Sequence, residues 1–295
     1  MSSPDIAIIG AGRVGTALGV LAARSGWGVL VASRRAAAAE AAARRIDDRA
    51  RACSVAQAAS AAGLILLTVP DDAIGTLCGE LAAGGALAHR PVVAHCSGAL
   101  SSEVLAPARQ AGCPVGSCHP LQTFPTVDAA VERLHGARFF IEGDESAIAA
   151  LEPLVRDVGG RAVRIAGDRK TLYHAAAVLA SNGLVTLLDA VGRLGAAAGL
   201  DADEHRTALG PLVRATVDNV LSLGPPVALT GPIERGDVAT IRCHVAALRR
   251  DVPDVAEAFC ALGKLTVDLA RRKGSIDAET ARTLRDVLDT PHGKE

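Results

Sequence analysis

Apolar positions in the first half of the chain fall in short, dense runs: Ile6–Ile9, Val29–Ser33, Leu64–Val69 and Val92–His95. Runs of that length that are apolar on successive positions predict parallel strands buried on both faces. Helical patterns lie between them at Val14–Ser25 (ended by Gly26), the alanine-rich Ala36–Ile46, Ile74–Leu81 and Glu103–Ala111. Ser54 is placed to cap a brief helix that stops at Gly63. Ala52–Val55, Val115–Ser117 and Arg138–Ile141 are weaker strand candidates, and Arg161–Ile165 closes the half. Strands alternating with helices predict a doubly wound parallel sheet.

After Gly167 the pattern becomes purely helical. Lys170 to Ala198 reads as one long helix with Gly183, Gly192 and Gly195 as its weak points. Further helices are expected at Ala202–Leu223, Val238–Arg250, Val255–Lys273 and Ala278–Leu288. Turn signals at Gly224-Pro225-Pro226, Gly231-Pro232 and Val252-Pro253 separate them. The expected organisation is a nucleotide-binding domain over residues 1–166 and an all-helical domain over 167–295. Only the last few residues read as disordered.

The first strand runs into Gly10-Ala11-Gly12-Arg13-Val14-Gly15 and then into a helix. This is the GxGxxG dinucleotide fingerprint in its required strand-turn-helix context. Gly10 permits the tight turn, Gly12 the approach of a pyrophosphate, and Gly15 close helix–strand packing. The phosphates then meet unpaired N–H groups at the helix N-terminus. The second strand ends in Ser33-Arg34-Arg35, where an enzyme binding an unphosphorylated ribose would carry an acid. Arginine there suits a 2′-phosphate, so the expected cofactor is NADP. Val69-Pro70, after another buried strand, should pass near the nicotinamide at the carboxyl edge of the sheet. The neighbouring Asp71-Asp72 pair reads as an Asx turn capping the helix from Ala73, in preference to a metal or acid–base pair.

Composition narrows the partners. The 295 residues are 49% hydrophobic and carry a net charge of −1, with four Phe, one Trp and one Tyr. That supplies ample core but no basic surface for nucleic acid or an anionic membrane, and no aromatic platform for bases. No uninterrupted apolar run approaches the roughly 18 residues of a membrane span. Met1 to Asp5 is short and polar and leads straight into a strand, unlike a secretory signal. Seven scattered cysteines suit reduced thiols and a cytoplasmic location. His95-Cys96 and Cys118-His119, with Cys113 nearby, lack the spacing of a zinc site, and no nucleophile signature surrounds any cysteine. No metal is expected; His119 or His95 is better read as a polar substrate contact.

A second constellation sits at the start of the long helix: Lys170, Tyr173, His174, Ser181 and Asn182. On a helix advancing about 100° per residue, Lys170, His174, Ala177 and Ser181 share one stripe. Asn182 lies about 120° from Lys170 and reaches the same site only if the helix bends. Charged and polar groups on an otherwise apolar helix need partners, which a cleft against the nucleotide domain would supply. Hydride reduction of a carbonyl places negative charge on oxygen, so Lys170 or His174 could donate the proton. Further along, Thr230 or Asp237 can N-cap a helix with Pro232 early in its first turn, leaving Arg235 to grip a carboxylate.

Taken together, Gly10–Gly15, Thr68-Val69-Pro70-Asp71-Asp72, His95-Cys96-Ser97-Gly98-Ala99 and His119-Pro120-Leu121-Gln122-Thr123-Phe124 resemble a bacterial Rossmann-like NADP oxidoreductase family. Lys170 with Tyr173-His174-Ala175-Ala176, and Thr230-Gly231-Pro232-Ile233-Glu234-Arg235-Gly236-Asp237, extend that resemblance over nearly the whole chain. The family carries a poorly characterised helical C-terminal domain. More distantly it is similar to ketopantoate reductase, pyrroline-5-carboxylate reductase and the β-hydroxyacid dehydrogenases. The resemblance implies an N-terminal Rossmann-type sheet and a C-terminal domain like that of 6-phosphogluconate dehydrogenase. It implies Lys170 as proton donor, with His174 where the relatives often carry asparagine, and Ser97 of Ser97-Gly98 as a substrate contact. It also implies a homodimer.

The expected activity is therefore NADPH-dependent reduction of a small oxo acid, ketopantoate-like, whose carboxylate Ser97 and Arg235 hold while His174 and Asn182 orient Lys170 or the substrate. The rivals are an imine reductase of the pyrroline-5-carboxylate type and a regulatory protein that binds NADPH without chemistry.

Overall fold

In the computed structural model, which describes residues 5–289, the chain divides into two compact units, one ending at Ser181 and the other beginning at Asn182. Met1–Pro4 and the C-terminal residues read as disordered lie outside the described residues.

The first unit is built on an eight-stranded sheet. Its strands are β1 (Asp5–Ile9), β2 (Gly28–Ala32), β3 (Arg51–Ala52), β4 (Leu64–Leu67), β5 (Val92–His95), β6 (Val115–Pro120), β7 (Arg138–Gly143) and β8 (Arg161–Arg164). They lie in the order β3-β2-β1-β4-β5-β6-β7-β8. The order reverses between β1 and β4, and the crevice beyond their carboxyl ends is where an open α/β sheet binds ligands. Successive residues of one strand face opposite layers. Ile6, Ile8, Leu64 and Leu66 pack under α1 (Arg13–Arg24) and α2 (Ala36–Ile46), whereas Ala7, Ile9, Ile65 and Leu67 pack under α3 (Val55–Ala61) and α4 (Asp71–Ala83). That two-sided burial is why these strands lack polar alternation. Ser54 caps α3 as expected, in a capping box with Gln57.

Three features depart from the expected pattern. β7 runs antiparallel to β6, pairing Ser117 with Glu142 and His119 with Phe140. The predicted helix Glu103–Ala111 forms as a 3-10 turn, Ser102–Leu105, that continues into α5 (Ala106–Gln110). Two further helices are present: α6 (Val127–Leu134) packs against α1, and α7 (Glu145–Asp157) covers the β7 and β8 end of the sheet. α7 does so with Ile148, Leu151, Leu154 and Val155, a helical repeat beside Phe139.

A 3-10 turn, Gly167–Arg169, leads into α8 (Lys170–Val178). The chain stays helical to Ala197, but residues Leu179–Gly183 form a π turn before α9 (Leu184–Ala197). The π turn contains Asn182, re-phases everything after it, and ends at the expected weak point Gly183. The division at Ser181 falls beyond the expected boundary at 166 because the first turns of α8 pack on the sheet. Within the 31-residue helical stretch Gly167–Ala197, an 18-residue window reaches a mean hydropathy of 1.5, so by length and composition it meets the requirement for a membrane span. The expectation that nothing would do so considered uninterrupted apolar runs; here alanine and leucine raise the average across interspersed polar residues.

The second unit continues with α10 (Ala202–Leu223), α11 (Pro225–Ala228), α12 (Val238–Asp251), α13 (Pro253–Lys273) and α14 (Ala278–Asp289). Its core joins Ile241 and Val245 of α12, Cys260 and Val267 of α13, and Leu284 and Leu288 of α14. Gly195 of α9 lies against the His205 ring of α10, which leaves no room for a side chain. No residue of α10 is buried.

Phe139 is the largest fully buried apolar side chain, packed beneath Gly160. Phe139→Ala is expected to lower unfolding stability by about 3–5 kcal/mol in urea titrations; a loss below about 1 kcal/mol would contradict this packing.

Candidate functional site

The glycine turn after β1 opens a groove of about 980 Å³ lined by Gly10, Ala11, Gly12, Ser33, Arg34 and Arg35 together with Val69, Pro70 and Asp72. It lies at the β1/β4 reversal. Gly10 has φ +129°, and a Cβ there would come within 2.5 Å of the Thr68 carbonyl oxygen. A Cβ on Gly15 would collide with the Gly10 carbonyl oxygen, whereas one on Gly12 would meet nothing within 4 Å. Two glycines are thus required by packing, and the third keeps space free. Gly12 N-caps α1 without a side-chain hydrogen bond, and the first turn, starting Arg13-Val14-Gly15, carries no acid. Its N–H groups are left to attract an anion. The Arg13 guanidinium donates to the Phe124 carbonyl (3.1 Å), and Val14 packs against the core. Arg34 and Arg35 are exposed and, among the described residues, form no ion pair. An uncapped helix, an open glycine and free guanidiniums fit a phosphorylated dinucleotide.

The second constellation forms where α8 docks on β6 and β7. Lys170 is 1% exposed, and its Nζ donates to the Ser97 carbonyl (2.8 Å) and to Ser117 Oγ (2.6 Å). Ser117 Oγ in turn donates to Glu142 Oε1 (2.7 Å). The antiparallel register creates this link, since Ser117 and Glu142 are cross-strand partners. Glu142 also accepts from the backbone N–H (2.7 Å) and hydroxyl (2.9 Å) of Ser102. Burial lowers the Lys170 pKa from its ordinary value, and the Glu142 charge opposes that shift. A buried ammonium is thereby matched by a buried carboxylate through one hydroxyl.

One turn along α8, Tyr173 stacks on Phe140 (4.2 Å between centroids) and its hydroxyl bonds His119 Nδ1 (2.8 Å). His174 lies edge-on to His119 at 5.8 Å. Both imidazoles close on Gly98, where any side chain would collide with His174. So Lys170, Tyr173, His174, Gly98 and His119 do come together, as does Ser97.

Several roles differ from those expected. The Ser97 hydroxyl donates to Asp71 Oδ2 (2.7 Å) and accepts from the N–H groups of Ala99 and Leu100, so it shapes its own turn and has no proton left for a ligand. Asp71 is accordingly not an Asx cap: α4 starts at Asp71 itself without a side-chain cap, and the carboxylate holds Ser97. His95 does not face a cleft. It is fully buried, accepting the Ser97 N–H at Nδ1 (3.1 Å), which assigns its proton to Nε2 facing the Ser101 carbonyl (3.2 Å). Cys118 is buried and Cys96 partly buried, and burial raises the pKa of both thiols, that of Cys118 to about 12. Asn182 and Arg235 are carried by the second unit. Arg235 is exposed in the turn before α12, where Asp237, rather than Thr230, is the N-cap. Pro232 therefore precedes the helix.

The residues missed from sequence are Ser117, Glu142 and Asp71 in its actual role. Ser117 at the end of the Val115–Ser117 candidate and Glu142 one residue beyond Arg138–Ile141 were the available signal, but their pairing depends on the antiparallel register.

Burial, reinforced by the Lys170 charge, lowers both His95 and His119 from 6.5 to about 4. The unfolded chain then binds more protons between those values, so stability falls as pH drops from 6.5 towards 4. His95 alone should account for about 3 kcal/mol of that loss, read by urea unfolding across the window. Unfolding free energies that stay level across it would contradict the neutral, buried imidazole.

Residues 2–120 match the family model of the Rossmann-like domain, and residues 137–266 match a domain of unknown function, DUF2520. No curated protein matches the chain significantly in sequence. Among solved structures, protein TM1727 from Thermotoga maritima is 24% identical, with a TM-score of 0.69 over 91% of this chain and 99% of its own. A provisionally named NADP oxidoreductase from Bacteroides fragilis is 22% identical (TM-score 0.68; 97% of this chain, 99% of that one). An imine reductase from Myxococcus stipitatus, in complex with NADP+, is 19% identical (TM-score 0.61; 97% of this chain, 93% of that one). These likenesses establish the fold, which is shared with NADP-dependent reductases.

Proposed function

We propose that the protein is an NADPH-dependent oxidoreductase that reduces the carbonyl of a small oxo acid, ketopantoate-like in its carboxylate and size. The reading rests on one observation: a dinucleotide groove and a buried, hydrogen-bonded lysine occupy the carboxyl edge of one sheet. The first turn of α1 and Gly12 would hold the pyrophosphate, and Arg34 and Arg35 the 2′-phosphate. When bound, the cofactor supplies a hydride.

Lys170 holds a proton at Nζ. Two of its three N–H groups are engaged by Ser97 and Ser117, so the third serves the substrate oxygen. Burial lowers its pKa, which eases that transfer. His174 and Asn182 are assigned to orient Lys170 or the substrate, and His119, paired with Tyr173, to contact the substrate. With the Ser97 hydroxyl committed, the carboxylate falls to Arg235, whose guanidinium is suited to bidentate binding.

Reduction of a cyclic imine is the second reading. It is favoured by the shared fold with imine reductases and by the scant exposure of Lys170, because an iminium is already activated. A second copy of the chain is proposed to cover Leu187, Leu188, Leu212 and Leu221, which α9 and α10 leave 43%, 39%, 62% and 80% exposed. A cytoplasmic location is proposed on the seven unpaired cysteines.

NADPH oxidation screened against small oxo acids and cyclic imines tests the reading. Turnover with an oxo acid is expected; turnover with imines alone selects the second reading, and none with either leaves an NADPH-binding regulator. Lys170→Ala should lower kcat by roughly 10²–10⁴ with little change in cofactor affinity; an unchanged kcat removes Lys170 as the acid. Replacing Arg34 and Arg35 by serine should weaken NADPH binding on the order of tenfold to a hundredfold and leave NADH nearly untouched. Equal loss of both would sink the 2′-phosphate assignment.

A further inference from the structure

A second pocket, of about 640 Å³, opens beside Glu142. Its lining includes Ser102, Arg109, Arg164 and Gly167, and it shares no residue with the dinucleotide groove. The Glu142 carboxylate lies among the buried groups lining this pocket: the residue is 7% exposed, and a Cβ added at Gly167 would stand 3.2 Å from its Oε2. Arg109 Nε, on the same lining, is buried without a protein partner. The pocket is therefore roomy and polar enough to hold water.

From this geometry we propose that Glu142 and Ser117 form a proton path that carries protons from the pocket to Lys170. The inference rests on the reductase reading above. A lysine that gives a proton to each substrate must regain one, and Lys170, 1% exposed, has little direct access to solvent. The hydrogen-bonded chain Lys170 Nζ, Ser117 Oγ, Glu142 Oε1 has links of 2.6 and 2.7 Å. After Lys170 has given its proton to the substrate oxygen, the neutral amine takes the Ser117 hydroxyl proton. Ser117 takes the proton of the Glu142 carboxylic acid, formed when the carboxylate takes a proton from a hydronium ion in the pocket and leaves water behind. One proton enters for each one delivered, and nothing on the path is oxidised or reduced. Because the two cavities share no lining residue, the path stays open while the groove is filled. The other titratable groups that interact with the Lys170 charge are Asp71, Cys96 and Cys118, together with His95, enclosed between the Ser97 N–H and the Ser101 carbonyl, and His119, bonded to the Tyr173 hydroxyl. The thiols have pKa values raised by burial, and the Asp71 carboxylate is held by the Ser97 hydroxyl, so Glu142 alone has both the contact and the opening.

The test is hydrogen exchange at the Lys170 ammonium, followed by NMR in the full-length protein with ¹⁵N-labelled lysine. Glu142→Gln removes the carrier, and Gly167→Val blocks its mouth while leaving the charge in place. Both should slow exchange by about tenfold or more. With an active substrate, Gly167→Val, which leaves the Glu142 charge in place, should also keep a near-normal first turnover while its steady-state rate falls, a split that a packing defect would not produce. Unchanged exchange in either folded variant overturns the path, as does a first turnover that falls in step with the steady state. A wild-type protein that turns over nothing would defeat the reductase reading alone, since the exchange measurement needs no substrate.

Discussion

The arrangement depends on one buried charge. Moving an ammonium out of water costs several kcal/mol unless its protons and its charge are both met. Lys170 is met by the Ser97 carbonyl and the Ser117 hydroxyl, with Glu142 behind the hydroxyl. Each partner comes from a different part of the sheet: the turn after β5, the middle of β6 and the end of β7. Satisfying one side chain therefore sets the docking of α8, the course of the Ser97 turn and the register at the sheet edge. Tyr173 and His174 then fall against Phe140, His119 and Gly98 because they lie one turn along the same helix.

The dinucleotide groove is made by the opposite device. Its shape comes from side chains that are missing: two glycines that packing requires and one, Gly12, that faces free space. Its charge comes from backbone amides and from two arginines without partners. The groove presents unsatisfied donors to a ligand, whereas the lysine site has satisfied nearly all of its own. The proposed reductase activity would use that contrast, since an anionic cofactor must come and go while the lysine keeps one geometry.

Local pattern revealed the groove well and the lysine site only in part. Ala36–Ile46, Val92–His95 and Ala202–Leu223 form over the residues expected, because periodicity and flanking turn residues act over short range. GxGxxG was legible for the same reason: its function lies within six residues. Lys170 and His174 could be picked out because polar groups on an apolar helix need partners. Which partners was not legible. Glu142 reaches Ser117 only through the antiparallel β6–β7 pairing, and α7, whose repeat of Ile148, Leu151 and Leu154 was overlooked, covers that edge. Asp71 and Ser97, close to 26 positions apart in the chain, meet for a similarly long-range reason. The π turn at Leu179–Gly183 was equally hidden, since no residue type there demands it.

The central claim is the proposal that the third N–H of Lys170 meets the substrate oxygen or imine nitrogen that takes the proton. A crystal structure of the complex with NADP+ and an unreactive analogue of an accepted substrate tests it most directly. The account predicts Lys170 Nζ within about 2.6–3.2 Å of the analogue's reacting oxygen or nitrogen, with its bonds to Ser97 and Ser117 retained. An analogue seated beside the nicotinamide, with Lys170 still enclosed by protein and out of reach, would contradict it.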